Sequence, residues 1–443
     1  MSDNKITKKS YINTETGKKI FYRISVLFLF VYIVLPQYFG LNTPGFDLTA
    51  QRMMIIFVFL YLMDNRKRAY DFYNFILRNK FFQFIFIYLF VCLYTALFRG
   101  HIGSFLYPFI EFLGMLIVAY IIINSIGMEK AFKLVIGCIY LLCIFGMVEY
   151  FMGRSPFSYL ETIKGLYTGA SVRSGAYRIM GPANHSLGYG LMLVVFLPLI
   201  SFDFNKKKLY IFTRPVLLVL LILNVFFTGS RSTLAVIILE VLAIVIFSSR
   251  SEKKKTILGA ILFLVIFAVV LMLTYKTSFG RYILLQITSV IDEVFDTTYS
   301  VNFGADINTL KNSSEYRSYL PKIFELSTFN PFIGRGSGYQ FYWYVDGYLI
   351  NSIDNFFVAT YIRYGYPGMI SYIVFIVYVV ISLVRNIVKS KSEFMKCLLI
   401  GIVFYFVNLW YLDTLQTIKY VYLLFAFYLV SINSEGEVTT NTK

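Results

Sequence analysis

The sequence predicts an all-α polytopic membrane protein with about twelve transmembrane helices and one large helical loop. The chain has 443 residues, of which 58% are hydrophobic, and its mean hydropathy is +0.67. Soluble domains are only about 45–50% apolar. The apolar residues gather in about twelve stretches, each close to the roughly 20 residues that a helix needs to cross a bilayer. One polar segment at 276–353 interrupts them and is too rich in aromatic and charged residues to be a simple tether.

The predicted spans divide the chain into three regions. Region 1–275 holds about nine spans, the large loop occupies 276–366, and region 367–443 holds about three spans and a polar tail. The spans are placed at 23–39, 46–63, 81–98, 103–123, 132–152, 186–203, 211–228, 232–248, 256–275, 367–385, 396–412 and 416–432.

The net charge of +17 is distributed unevenly along the chain. Lysine and arginine cluster in short segments at 5–23, 66–80, 130–133, 206–214, 250–255 and 385–396. Alternate loops share one side of the membrane, and these clusters fall on a single side only when both termini are cytoplasmic. We therefore expect cytoplasmic termini and an extracytoplasmic large loop. This distribution accounts for the charge without a nucleic-acid partner.

Two helices are expected within the loop or beside it. Residues 281–297 predict an amphipathic helix on the bilayer or on the helix bundle, because one stripe at helical spacing holds Ile283, Ile287, Val290 or Ile291, and Val294. Residues 350–364 are expected to form an embedded or surface helix. A full span there would move the basic cluster that follows to the outer side.

The basic residues of the segments expected outside are mostly arginine rather than lysine. A guanidinium offers a planar fork that grips phosphate with two hydrogen bonds and stays charged. Arginine placed against the positive-inside trend therefore suggests an anionic ligand at this face. The alternative for each arginine is a snorkelling side chain or an ion pair with a loop carboxylate. The sequence leaves both interpretations open.

Two of these arginines stand beside predicted helix N-termini, which offer free amides to an anion. Arg178 opens the sequence RIMGPANH before a span, and Asn184 adds a polar group there. Arg231 lies in the turn at 228–232, where two serines add hydroxyl donors. His185 has no second histidine or cysteine nearby, so no metal site is expected.

The large loop supplies the remaining candidates. Glu315 and Arg317 lie in a predicted helix that ends before a glycine-rich turn, and Arg335 belongs to that turn. Asp354 and Asn355 open a further apolar helix. An aspartate at that point is either a helix N-cap or a general base, since a carboxylate in a partly desolvated groove suits proton transfer.

Two glutamates, Glu111 and Glu240, fall inside predicted spans. A charge within the bilayer is costly, so ionisable residues there are functional candidates. Glu240 lies toward the middle of its helix and is expected to pair with a buried arginine or another polar group.

At these residues the chain resembles the O-antigen polymerase and ligase superfamily, the Wzy-type polymerases and their relatives. The matching pieces are Arg178, Gly181 and Asn184 before a span, GSRS at 229–232, Glu315-Tyr-Arg317, NPFIG at 330–334, Asp354-Asn355, and RYGYPG at 363–368. They follow one another over residues 178–370, in the order expected around one large extracytoplasmic loop. Each motif is short, and the order together with the topology is more specific than any single motif.

The resemblance implies a metal-independent glycosyltransferase, embedded in the bacterial inner (plasma) membrane, with a helix bundle of the GT-C type and no cofactor. Its substrates would be oligosaccharide repeat units linked to undecaprenyl pyrophosphate. The growing chain would be the donor, and the non-reducing sugar of a new unit the acceptor. The product would be the O-antigen of lipopolysaccharide, a capsule or an exopolysaccharide. Membrane lipids, a chain-length regulator and a flippase are the further candidate partners.

The same resemblance implies roles for individual residues. Asp354 is the first candidate and Glu315 the second for the group that takes the acceptor proton. The residues implied to hold the pyrophosphate or the glycan are Arg178, Asn184, Arg231, Arg317, Arg335 and Asn355.

Two alternatives are weighed against the polymerase. Ligases of the superfamily, which transfer finished chains to another acceptor, carry a histidine where this chain has Asp354, and no histidine follows His185. A flippase or another transporter of lipid-linked oligosaccharides would show internal repeats and charged groups deep in the bundle. The two halves of this sequence show no repeat, and the polar groups gather outside. The polymerase is therefore favoured.

Overall fold

The computed structural model describes residues 15–43, 45–167, 169, 171–173, 176–306, 316–345, 347–413 and 417–440. Over these residues the chain is mostly helical, as the sequence predicts. The α-helices are α1 Glu15–Val34, α2 Ala50–Met63, α3 Arg66–Arg78, α4 Lys80–Arg99, α5 Gly103–Ile121, α6 Met128–Met152, α7 Ser186–Ser201, α8 Pro215–Phe227, α9 Arg231–Phe247, α10 Arg250–Thr274, α11 Ser278–Phe295, α12 at 316–319, α13 Phe356–Ser390, α14 Glu393–Asn408 and α15 Ile418–Thr440.

Every predicted span overlaps with one of these helices. Within the described part of the chain, five helices are long and apolar enough to cross a membrane, namely Lys80–Arg99, Gly103–Ile126, Met128–Met152, Arg250–Thr274 and Phe356–Ser390. Shorter apolar helices accompany them at Ala50–Met63, Ser186–Ser201, Pro215–Phe227 and Ile418–Asn433. The total of about twelve spans and the side on which the loop lies stay predictions.

The centre of the bundle is formed by helices that are buried nearly all round. The residues of α7 are almost all buried, as are the second half of α5 and the first part of α15. Other helices pack around this centre, with α14 against α7, α15 against α5, and α13 against α4. A helix that is apolar on every side is typical of a bundle interior. By contrast, only 6% of the apolar window of α10 is buried, so this helix lies on the outside of the bundle.

Short antiparallel ribbons join some of the helices, and they are the one departure from the all-α prediction. Strands of two or three residues carry too little alternation to be seen in the sequence. The pairs are β1 Gly40–Leu41 with β2 Leu48–Thr49, β3 Ser171–Arg173 with β4 Ala176–Arg178, β5 Phe202–Asp203 with β6 Lys208–Leu209, and β7 Trp343–Val345 with β8 Tyr348–Ile350.

The separate helix expected at 350–364 is the first part of the long helix α13. The helix begins at Phe356, and Gly365 breaks it with φ 67° and ψ −172°. The break lets the Tyr366 N–H donate to the carbonyl oxygen of Pro331 at 2.7 Å. A Cβ at Gly365 would lie 2.3 Å from that same oxygen, so both the left-handed φ and the close approach require glycine. The large loop is thereby fixed to α13.

The amphipathic helix predicted at 281–297 is α11. The first part of the predicted stripe is packed, because Ile283 is 2% exposed and Ile287 lies against the hydrophobic core. Val294, at the end of the stripe, is 64% exposed. The helix packs against α9 and the 3₁₀ turn Tyr299–Phe303. Its outward apolar residues are typical of a helix that lies beside lipid. The predicted helix is confirmed, and its apolar stripe divides into a first part that packs on the bundle and a last part that faces outward.

The large loop has a small core of its own. Leu320, Ile323, Phe329 and Ile350 are buried together with Tyr361 of α13. The helix expected to run to Leu326 is, in its described part, the short α12 followed by the 3₁₀ turn Leu320–Glu325. Its expected start at 313–314 lies outside the described residues. A loop with its own buried residues is a structured part of the molecule rather than a tether.

The glycine-rich turn of the loop lies on the turn between α4 and α5. The Arg99 Nε donates to the carbonyl oxygen of Gly334 at 2.7 Å, and the Ser337 N–H donates to the Ser104 Oγ at 2.9 Å. The φ of Gly334 is 67°, in the left-handed region. The turn therefore connects the loop to the N-terminal half of the bundle.

Candidate active site

A buried carboxylate fixes the segment that carries Arg178. Glu149 of α6 is fully buried and accepts hydrogen bonds from the backbone N–H of Met180 at 2.7 Å and of Gly181 at 2.8 Å. It also accepts a bond from the Tyr177 hydroxyl at 2.8 Å. A buried carboxylate is tolerated only when its oxygens are satisfied in this way. The three bonds hold the chain on both sides of Arg178 against α6.

Arg178 reaches from β4 to the turn between α8 and α9. Its Nε donates to the carbonyl oxygen of Thr228 at 2.7 Å, and the residue is only 7% exposed. Its Nη2 has no hydrogen-bond partner among the described residues. Burial and the nearby charge of Arg231 lower the pKa of Arg178 to about 10, so it is still a cation at neutral pH. A buried cation with an unused donor favours an anionic ligand.

Arg231 is the first residue of α9, as its place in the predicted turn suggests. Ser230 caps the helix by accepting a hydrogen bond from the Thr233 N–H at 3.3 Å. The Nη1 of Arg231 lies 3.2 Å from the Oε2 of Glu293 in α11. Its side chain is 9% exposed. The helix N-terminus and the guanidinium thus contribute positive charge at the same place.

Glu293 binds a second arginine, which comes from the large loop. The Nη1 of Arg317 in α12 lies 3.4 Å from the Oε1 of Glu293. The Arg317 guanidinium also lies 5.9 Å from the ring centre of Tyr411, and its Nε has no hydrogen-bond partner in the described part of the chain. One carboxylate is therefore shared by Arg231 and Arg317. Arg178 lies close enough for the charge of Arg231 to act on it, and we name Arg178, Arg231 and Arg317 the arginine cluster.

Asp354 lies within the electrostatic reach of this cluster. Its Oδ1 accepts a hydrogen bond from the Ser352 hydroxyl at 3.1 Å. Burial raises the pKa of Asp354 above its usual value, and the charge of Asp413 raises it further. The charge of Arg317 and the hydrogen bond from Ser352 act in the opposite direction. A half-buried carboxylate with a raised pKa is a better proton acceptor than an exposed one.

Asp413 also fixes the start of α13. Both of its carboxylate oxygens bind Arg363, with a distance of 3.2 Å from the Nη1 to the Oδ1 and a short contact from the Nη2 to the Oδ2. Two parallel bonds between a guanidinium and a carboxylate define both distance and orientation. The pair joins the end of α14 to the helix that Asp354 precedes.

Asn355 is the N-cap of α13, the role that the sequence left open for Asp354. Its Oδ1 accepts hydrogen bonds from the backbone N–H groups of Phe357 at 2.9 Å and Val358 at 3.1 Å. Its Nδ2 donates to the carbonyl oxygen of Trp410 at 3.1 Å. These contacts are all with backbone groups. They leave the Asp354 carboxylate outside the cap, and the substrate-binding role of Asn355 stays a prediction.

Two other predicted binding residues lie beside structural contacts. Asn184 is buried and precedes His185, the N-cap of α7, whose Nδ1 accepts from the Leu187 N–H at 3.2 Å. Burial and the charge of Arg178 lower the pKa of His185 to about 4, so the ring is neutral at pH 7. The Nη2 of Arg335 donates to the carbonyl oxygen of Thr328 at 2.8 Å, and in the described part of the chain no hydrogen bond or ion pair joins Arg335 to the arginine cluster.

Glu315, the second candidate for the proton acceptor, lies outside the described residues. Its role stays a prediction. The expected pairing of Glu240 is wrong for the described part of the chain, because neither of its carboxyl oxygens has a hydrogen-bond partner there.

Three residues that matter to this geometry escaped the sequence analysis. Glu149 lies in a predicted span. The same signal, an acidic residue inside a span, singled out Glu111 and Glu240 and could have identified Glu149 as well. Glu293 was visible as an acidic residue of the amphipathic helix, but its partners Arg231 and Arg317 are far away in sequence. Asp413 carries no sequence signal, because its importance depends on packing between α13 and α14.

Comparison with known proteins identifies the part of the chain that holds most of this geometry. Residues 216–373 match the family model described as O-antigen ligase. This range is more than a third of the chain and contains Arg231, Glu293, Arg317 and Asp354. Arg178 precedes it. No match was found among curated proteins.

Proposed function

We propose that this chain, which belongs to the O-antigen polymerase and ligase superfamily, polymerises lipid-linked oligosaccharide repeat units into a surface polysaccharide. The observation that carries the proposal is the convergence of Arg231 and Arg317 on Glu293, with Asp354 in reach of the charge of Arg317. All four residues lie within the matched range. They combine a site for a polyanion with a proton acceptor.

The donor would be the growing chain on undecaprenyl pyrophosphate. Pyrophosphate is already an activated leaving group, so the protein has to bind it and to stabilise the charge that develops as it departs. Arg178, Arg231 and Arg317 supply guanidinium donors for that charge. The unused Nη2 of Arg178 and Nε of Arg317 are the first atoms available to phosphate oxygens.

The acceptor would be the non-reducing sugar of a new repeat unit. Its hydroxyl oxygen bonds to the anomeric carbon of the donor while the bond from that carbon to the pyrophosphate oxygen breaks. Asp354 takes the hydroxyl proton, and the lipid pyrophosphate leaves with the bonding electron pair. Such general base catalysis typically contributes about 10²–10⁴-fold to a rate. A group with a raised pKa is suited to the step, provided that it is deprotonated at the working pH.

Polymerase is favoured over ligase by the absence of histidine from the matched range. The chain has two histidines, His101 and His185, and both precede residue 216. A ligase of the superfamily would be expected to carry a histidine base at the position of Asp354. The ligase that transfers finished chains is the second candidate, because the matched family is described by that activity.

We also propose the topology that the sequence predicts. The chain would lie in the bacterial inner membrane with about twelve spans, both termini in the cytoplasm and the large loop outside. The arginine cluster would then face the side on which the lipid-linked units are joined into polymer. The reaction would need no metal and no cofactor.

The test is the size distribution of surface and lipid-linked glycan from cells that lack this protein, resolved on a gel. Single repeat units at the surface without a ladder support the polymerase, and re-expression of the chain should restore the ladder. Long polymer left on its lipid carrier would instead identify the ligase. Single units trapped on the cytoplasmic face would identify a flippase, and an unchanged ladder would refute all three.

A further inference from the structure

A cavity of about 200 Å³ lies apart from the arginine cluster, between α2, α4, α5, α13 and α15. Its wall combines aromatic rings that carry hydroxyl groups with one basic residue, Arg52, and two acidic residues, Asp47 and Glu111. The lining residues used below are Arg52, Tyr88, Tyr107, Glu111, Tyr364 and Tyr372. The loops at 35–49 and 153–185 and the glycine-rich turn also contribute to the wall, so the cavity lies at the same end of the bundle as Arg178.

Arg52 and Glu111 face each other without completing a hydrogen bond. The Nε of Arg52 is 3.7 Å from the Oε1 of Glu111, which is beyond hydrogen-bond distance. That Nε has no other hydrogen-bond partner among the described residues, although Arg52 is only 8% exposed. A buried donor that stays unsatisfied is costly. A hydroxyl group between them would accept from Arg52 and donate to Glu111.

The rest of the Arg52 side chain is held rigidly. Its Nη1 donates to the carbonyl oxygen of Asp47 at 2.8 Å, and its guanidinium lies 4.4 Å from the ring centre of Tyr107 and 5.2 Å from that of Phe46. Glu111 is held in turn by a hydrogen bond from the Gln51 Nε2 at 2.8 Å. The gap between the two charged groups is therefore fixed by packing rather than by their mutual attraction.

The charges of the cavity exclude two classes of ligand. Glu111 and the lining residue Asp47 balance Arg52 and the buried Lys419, so an anion such as pyrophosphate finds no excess of positive charge. A purely apolar ligand would leave Arg52 and Glu111 unsatisfied. A neutral ligand with several hydroxyl groups needs no excess of positive charge and can form hydrogen bonds with both Arg52 and Glu111. The faces of tyrosine rings are suited to the apolar side of a sugar. The volume is below the roughly 300–1,000 Å³ of sites for drug-sized ligands, which limits the occupant to about one ring.

One ion pair connects this cavity with the candidate active site. Tyr364 lines the cavity, and its neighbour Arg363 binds Asp413 with both terminal nitrogens. The charge of Asp413 acts on both Tyr364 and Asp354. A sugar in the cavity would therefore lie beside the residue that follows Arg363, whose partner Asp413 acts on Asp354.

We propose that this cavity binds a single neutral sugar ring, with one hydroxyl between Arg52 and Glu111. If the proposed function is right, on which this second step rests, the ring belongs to the acceptor repeat unit. Recognition of the acceptor would then depend mainly on the N-terminal half of the chain. The proposed base and most of the proposed pyrophosphate ligands would come from the matched range, residues 216–373.

The experiment measures calorimetric binding of the free repeat-unit oligosaccharide, released from its lipid by mild acid, to the purified full-length chain in nanodiscs. Glu111→Gln should weaken binding by about 10- to 100-fold, the usual range for a hydrogen bond to a charged group. Tyr107→Phe removes one hydroxyl and should weaken binding by about two- to tenfold. Thermal unfolding of each variant checks that it folds. If Glu111→Gln does not fold, Tyr107→Phe alone still tests the site.

Two controls separate this site from others. Tyr378→Phe removes a hydroxyl from α13 outside the cavity, where Tyr378 stacks on Phe84, and should bind the oligosaccharide as the wild type does. Arg231→Ala should also keep this affinity while it loses polymer synthesis, because it changes only the anion site.

The outcomes distinguish the two proposals. Unchanged affinity in both folded cavity variants, or no binding by the wild type, would overturn the sugar site. Loss of affinity in the cavity variants supports the sugar site. It does so even if the glycan ladder is unchanged in cells that lack this protein. In that last case the polymerase proposal fails and the sugar site stands.

Discussion

At the residue scale, the account depends on the planar fork of Arg231. Arg231→Ala should abolish polymer, and Arg231→Lys should restore little of it, because an ammonium group cannot grip phosphate with two parallel bonds. The measurement is the glycan ladder of complemented cells, with the amount of protein in the membrane determined on the same samples. Full activity of Arg231→Lys would show that charge alone is needed and would contradict the bidentate role.

The protonation of Asp354 gives a second prediction at this scale. Burial raises the pKa of Asp354, and the hydrogen bond from Ser352 lowers it in part. Asp354 must be deprotonated to act as a base, so the rate should fall as pH decreases through this raised pKa. Ser352→Ala removes the opposing bond, which should raise the pKa and move the acidic limb of the pH–rate profile to higher pH.

The matched control for this profile is Ser249→Ala, another exposed serine, at the start of α10 and away from Asp354. It should leave the acidic limb where it is in the wild type. A profile in which Ser352→Ala shifts the limb to lower pH would contradict Asp354 as the titrating base.

At the element scale, the segment that carries Arg178 depends on α6. Glu149→Gln keeps the size of the side chain but replaces one of its two acceptor oxygens by an NH2 group, which cannot accept from a backbone N–H. One of the two backbone bonds, worth about 1.5–3 kcal/mol to a charged group, is thereby lost. We expect slower polymerisation, a higher KM for the lipid-linked unit, and faster tryptic cleavage after Arg178. Glu129→Gln is the control, since Glu129 lies on the same helix in an exposed pair with Lys133. Wild-type cleavage and KM in Glu149→Gln would refute the positioning role.

The start of α13 gives a further prediction for an element. Asn355→Ala removes the N-cap of this helix and should destabilise the protein by about 0.5–2 kcal/mol. Asn355→Asp retains an oxygen that can cap the helix and loses only the bond to the carbonyl oxygen of Trp410. In thermal unfolding in detergent, the wild type should therefore have the highest Tm, Asn355→Asp a lower one and Asn355→Ala the lowest. If all three unfold alike while both variants lose activity, Asn355 is a substrate ligand rather than a cap.

The sequence predicted the helices well and their contacts poorly. Periodicity and hydropathy located α11, yet its apolar stripe is buried at Ile283 and exposed at Val294, because lipid as well as the protein interior accepts apolar side chains. The boundary predicted at 364, which came from the distribution of basic residues, lies next to the break at Gly365. Its cause, the approach of the Pro331 carbonyl oxygen, depends on tertiary packing that no local pattern contains.

At the scale of the whole molecule, the candidate site is assembled from segments far apart in sequence. Arg178, Arg231 and Arg317 could be selected individually from residue type and predicted topology. The shared contact of Arg231 and Arg317 with Glu293 of α11, and the ion pair of Asp413 with Arg363, could not be predicted, because pairing over long separations is not encoded in spacing. The same is true of Arg52 and Glu111, which lie in different helices and meet only in the folded bundle.

The most direct test of the central claim is polymer synthesis by the purified full-length chain in nanodiscs, supplied only with the undecaprenyl-pyrophosphate-linked repeat unit. The wild type should produce a ladder of lipid-linked oligomers and release one lipid pyrophosphate for each bond formed. Asp354→Asn should bind the substrate and make no ladder. A full ladder from Asp354→Asn would contradict Asp354 as the base, and no ladder from the folded wild type would contradict the polymerase itself.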